Sequence, residues 1–220
     1  MENKNNFVLQ LIIAIVGVFI TMFGLVMFNQ HLLLTFSLPL RMVLMIVTQW
    51  SLFIVPGILM IISKEKLIDL GFSKTNILKQ ILIGIGIALL VSLIFTVIPI
   101  LVGLRDFVGA TTYTKPWQFA FEFVYALLGV ALVEELIFRG YIFKKLLDIK
   151  NSKWFAIIIS SLIFGFFHIF NGDILQVIVT FIMGIIFCLF REKIKNCSTL
   201  SLIIIHGLHN GLIILWLGII

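Results

Sequence analysis

The chain has 220 residues, of which 61% are hydrophobic and 12% charged, with a formal net charge of +6. So little polar surface excludes a single soluble core of this size and predicts an all-α protein that crosses the membrane several times. The positive charge needs no nucleic acid partner, because the lysines cluster between apolar segments, where the positive-inside bias accounts for them.

A spanning helix needs about 20 mostly apolar residues. Seven segments qualify in chain order: 7–28, 42–63, 80–103, 117–136, 154–170, 174–190 and 199–218. The first is too long for the apolar region of a signal peptide, and no small-x-small site follows it, so it reads as a retained helix. Pro56 and Pro99 predict kinks in the second and third. Between these two lies "SKEKLIDLGFSKTNILKQ", which sets Leu67, Ile68, Leu70 and Phe72 among alternating charges. It reads either as a short amphipathic helix at the interface or as a solvated connector. The fourth segment is expected to continue as helix to about Leu147. The fifth and sixth are joined by Asn171, Gly172 and Asp173, which predicts a tight antiparallel hairpin.

With the N-terminus assigned to the cytoplasm, 13 of the 16 Lys and Arg residues fall in cytoplasmic segments, and only Arg41, Arg105 and Lys115 lie outside. This describes a multi-pass protein of the cell membrane whose C-terminus is external and whose basic loops meet anionic headgroups. Cys188 and Cys197 give neither metal-ligand spacing nor a disulfide framework. Residues 1–220 read as one transmembrane domain, with a three-helix scaffold over 1–116 and a catalytic core over 117–220.

That division follows from an asymmetry. The first three segments carry no ionisable residue in mid-membrane. The fourth, fifth and seventh carry Glu122, Glu134, Glu135, His168, His206, His209 and Asn210. A charge at mid-helix costs about 2.5–3.5 kcal/mol on insertion scales, so such residues face the protein interior and mark function. Glu135 and Arg139 are four apart on one helix face and pair, which leaves Glu134, rotated by about 100°, free. The plainer alternative places both glutamates at the cytoplasmic interface, neutralising nearby lysines. In "FGFFH", Phe164 and His168 are four apart, and so are His206 and Asn210 in "HGLHN". Gly207 and Gly211 beside them allow a close neighbour. His209 either joins the site or supports it through a hydrogen bond. Individually, a hydrogen-bonded core histidine and an interhelical asparagine explain these residues equally well.

Together they are the parts for hydrolysing an amide with activated water. Glu134 serves as general base, and His168 orients the water or passes the proton on. His206 and Asn210 donate to the oxyanion. Arg139 fixes Glu135 and favours ionised carboxylates. A zinc ion held by Glu134, His168 and His206 is the alternative, although HExxH is absent and no carboxylate partner for the histidines is evident. No cofactor is the preferred reading. His168 lies about 22 Å from Lys153, against about 15 Å from Glu134 to Lys144, which sets it deeper than its partners.

The three motifs, "EELIFR" with Glu134, Glu135 and Arg139, "FGFFH" and "HGLHN", resemble in order and spacing those of the CAAX-protease and bacteriocin-processing (CPBP, abortive-infection) intramembrane proteases. The resemblance covers roughly 117–218. It implies a membrane endopeptidase in which Glu134 and His168 activate water and His206 and Asn210 form the oxyanion site. Members have been described both as metalloproteases and as metal-independent glutamate proteases. The eukaryotic branch trims prenylated proteins, whereas bacterial members process peptides or protect against them. The small size of this chain suits the bacterial branch and a peptide or membrane-protein substrate, in bacteriocin or signal-peptide processing or in self-immunity. Two other functions remain open at this stage, a proton-coupled transporter and a non-catalytic bacteriocin-immunity protein. Buried Glu and His also serve as proton relays, but a transporter would more often show repeated halves.

Overall fold

A computed structural model describes residues 4–170 and 174–220. It is helical throughout, with no strand among the described residues. Helix α1 spans Lys4–His31 and α2 spans Leu38–Ile62. Helix α3 spans Ile77–Leu101, and α4 runs unbroken over 116–149. Helices α5, α6 and α7 span Lys153–Phe167, Ile174–Lys193 and Thr199–Ile219. The turn expected at Asn171–Asp173 lies outside the described residues, but α5 and α6 do pack along each other. Gly165 lies against the Val177 carbonyl and Gly184 against Ser161, approaches at which an added Cβ would sit under 3.0 Å from its neighbour.

Among the described residues, six helices, rather than the seven expected, are long and apolar enough to cross a membrane. The exception is α4, the helix that carries the charges. It is continuous, as expected, and extends to Ile149. Its midsection from Val133 to Phe143 is buried without interruption, so its carboxylates and guanidinium are solvated by protein and not by lipid.

Both prolines disturb their helices where sterics requires. A proline ring clashes with the carbonyl four residues back and removes one donor. Ahead of Pro56, residues Trp50–Phe53 tighten to a 3-10 turn, and ahead of Pro99, Leu93–Val97 widen to π geometry. Helix α4 holds two more π stretches, Tyr125–Ala131 and Glu135–Ile142, one on each side of Glu134.

The basic end of the bundle is tied together by side chains. Lys145, which sequence alone assigns to a cytoplasmic run, is fully buried. Its Nζ donates to Glu65 Oε1 at 2.8 Å and to Gln10 Oε1, linking α4 to the connector after α2 and to α1. The 63–80 connector divides between the two readings, a short helix and a solvated connector. It contains one 3-10 turn, Leu67–Leu70, with Leu67 and Ile68 exposed and Leu70 in the core. Gly71 follows in the left-handed region, at φ 85°, and the Leu70 carbonyl accepts from Thr199 Oγ1 at 2.6 Å. At the opposite end, Arg105 Nη2 donates to the Leu217 carbonyl at 2.6 Å, closing the segment after α3 onto the end of α7.

Helix α7 lies directly on α4. A Cβ on Gly207 would sit 2.8 Å from Leu127 Cα, and one on Gly211 would sit 2.4 Å from the Phe123 ring. The close neighbour that these glycines admit is therefore α4 itself. Overpacking a tight core typically costs about 1–3 kcal/mol, so Gly211→Val is expected to destabilise by that amount, read as a lower Tm of the detergent-solubilised protein.

Candidate active site

Glu134, His168, His206, His209 and Asn210 line one cavity of about 890 Å³. Its walls come from α3 and the segment after it, α4, α5, α6 and α7, so residues from the N-terminal half, among them Phe95 and Phe107, also contribute. Glu122 lies apart from it and accepts a hydrogen bond from Tyr113 Oη at 3.2 Å.

The two neighbouring glutamates have separate environments, as their helical offset predicts. Glu135 is fully buried behind the cavity wall, where its Oε1 accepts from Arg139 Nη1 at 3.0 Å. Glu134 faces the cavity, and its Oε2 is buried with no hydrogen-bond partner. The nearest cation-forming group is His206, whose Nε2 is 3.8 Å from that oxygen, beyond hydrogen-bond reach.

His206 has the carboxylate partner that sequence reasoning missed. Its Nδ1 is 2.8 Å from Glu135 Oε1. Glu135 thus takes both Arg139 and His206, and a chain of Arg139, Glu135 and His206 joins two helices. Only the packing of α7 on α4 brings residues 71 positions apart together, so no local spacing could reveal the pair. A carboxylate accepts, so Nδ1 carries the hydrogen and Nε2 is the nitrogen turned to Glu134.

His168 caps the end of α5. Its Nδ1 donates to the Phe164 carbonyl at 2.9 Å, which leaves Nε2 as its free ring nitrogen. The expected difference in depth does not separate it from the others, because the cavity extends along α5 and α6 toward that end. Phe164 has a larger role than spacing suggests. Its ring meets His168 edge-on at 4.7 Å and His206 at 6.2 Å, while the Arg139 guanidinium lies 3.9 Å above its centroid. It is a wedge that sets both imidazoles against the buried cation. Arg191 closes the floor from the basic end, with its Nη1 donating to the Arg139 carbonyl and its Cζ 4.2 Å from the Phe143 ring centroid.

His209 is buried, with Nδ1 unpaired, and Asn210 is half-buried at the cavity wall. Among the described residues, no three His, Cys, Asp or Glu side chains are arranged to hold a metal ion. The zinc alternative of Glu134, His168 and His206 therefore shares a cavity without forming a ligand cluster. Cys188 and Cys197 are free and buried, and burial pushes the Cys197 thiol up to about 11.

The family of Rce1-like proteins, described as type II CAAX prenyl endopeptidase Rce1-like, matches residues 116–212. This segment belongs to the Rce1-like family. The matched segment runs from the first residue of α4 through two thirds of α7, and carries Glu134, His168, His206, His209 and Asn210, whereas Asp106, which also lines the cavity, lies outside it. At the level of the family the match supports a CAAX-type membrane protease, in line with the three motifs. None of the curated proteins and none of the solved structures matches the chain.

Proposed function

We propose that the protein is an intramembrane endopeptidase that hydrolyses a peptide bond of a membrane-associated or peptide substrate with water activated by Glu134. The observation that carries the reading is the unpaired, buried Oε2 of Glu134 in a cavity shared with His168, His206 and Asn210. A water there donates one hydrogen to Glu134 and the other to Nε2 of His168, and turns its lone pair to the scissile carbonyl. As oxygen attacks carbon, Glu134 takes the proton. The C–N bond of the tetrahedral intermediate then breaks, and that proton goes to the leaving nitrogen.

The oxyanion needs donors, and Asn210 supplies an amide N–H. His206 donates from Nε2 when its ring is protonated, because Nδ1 is committed to Glu135. The reading uses no metal.

Purified protein, wild type and freed of metal by chelation, is to be incubated with a quenched library of apolar peptides. The proposal expects cleavage that survives chelation unchanged. Activity lost on chelation and restored by zinc would overturn the metal-free mechanism.

A further inference from the structure

The direction in which the cavity opens bears on the substrate. Its exposed apolar lining runs from Leu104, Phe107 and Leu175, 45%, 69% and 40% exposed, to Val179 and Phe95, 43% and 37% exposed, farther into α6 and α3. All five lie toward the end of the bundle where α7 terminates and Arg105 reaches the Leu217 carbonyl. Toward the other end the cavity is shut. There Arg139, Phe138 and Ile142 are fully buried, and Arg191 seals the Arg139 carbonyl.

The two ends differ sharply in charge. Lys64, Lys66, Lys74, Lys79, Lys150, Lys153, Lys193 and Lys195 all belong to the closed end, whereas the open end has Arg41, Arg105 and Lys115. Short loops with this excess of lysine stay in the cytoplasm. We infer that the cavity opens to the external face, and that its substrate is an exported peptide segment presented there in extended form, not a cytoplasmic C-terminus. The walls fit such a segment. Phe95, Phe107, Val179, Met183 and Phe187 supply apolar contact, Glu134, the histidines and Asn210 supply polar groups, and Asp106, Gln176 and Thr180 add further ones. The inference about the substrate rests on the endopeptidase reading, while the facing of the cavity does not.

Cysteine labelling separates the two. Phe107→Cys at the rim and Lys195→Cys at the basic end are to be treated with a membrane-impermeant maleimide in intact cells. The native thiols are buried, so the signal reports the introduced ones. The expected result is labelling of Phe107→Cys before permeabilisation and of Lys195→Cys only after it. The reverse pattern overturns the inference. In parallel, the quenched apolar peptide library is to be added to right-side-out and inverted vesicles, with Glu134→Gln as the blank. Cleavage is expected outside right-side-out vesicles and lost in inverted ones, and cleavage confined to inverted vesicles overturns the assignment. Should neither orientation cleave while Phe107→Cys labels from outside, the endopeptidase reading fails, the inferred substrate falls with it, and only the outward facing of the cavity stands.

Discussion

Glu134→Gln is expected to lower kcat by about 10²–10⁴, the usual contribution of a positioned general base, with little change in the protein's Tm. The substitution keeps the shape of the side chain and removes only the proton acceptor. Stability should be insensitive because Glu134 Oε2 makes no hydrogen bond that the amide would forfeit. The measurement is turnover of the quenched peptide library by purified protein, beside a thermal melt of the same preparation. Retention of wild-type turnover would remove Glu134 from the chemistry. A large fall in Tm would mean that it is a structural residue.

The second large effect is on folding. Arg139→Ala is expected to destabilise the protein by about 3–5 kcal/mol, because it strands the buried Glu135 carboxylate without its cation. Glu135 is fully buried, and its remaining partner is His206, so no solvent replaces the guanidinium. The loss should be partly recovered in the Glu135→Leu, Arg139→Ala double variant, since removing both charges of a buried pair costs far less than removing one. A melt of Arg139→Ala, Glu135→Leu and the double variant beside wild type in one detergent gives the coupling directly. Additive losses would contradict the pairing. Activity of the double variant should nonetheless stay low, because His206 loses the acceptor that fixes its Nδ1 hydrogen.

Much of this was legible in the sequence because membrane helices are written plainly. Length and apolarity located the long helices, and Pro56 and Pro99 located the departures from α geometry in α2 and α3, but nothing in the sequence marked the two π stretches of α4. The four-residue spacing from Glu135 to Arg139 gave an ion pair that the fold realises. The count of seven spans met its exception at α4, the helix that carries Glu122, Glu134, Glu135 and Arg139. Long-range pairing was not legible. The bond from His206 to Glu135 depends on how α7 sits on α4, and the inward turn of Lys145 depends on Gln10 from α1 and Glu65 from the connector after α2. Phe164 was visible as a neighbour of His168, but its contact with Arg139 required the packing of α5 against α4.

The central claim is tested most directly in cells, by comparing membrane peptidomes of wild type, Glu134→Ala and His168→Ala. The same uncut precursor should accumulate in both variants and be absent from wild type. Identical peptidomes in all three, with the variant proteins present at normal levels, would contradict hydrolysis at this cavity. Full protection against a peptide toxin by Glu134→Ala would then mark a protein that only binds.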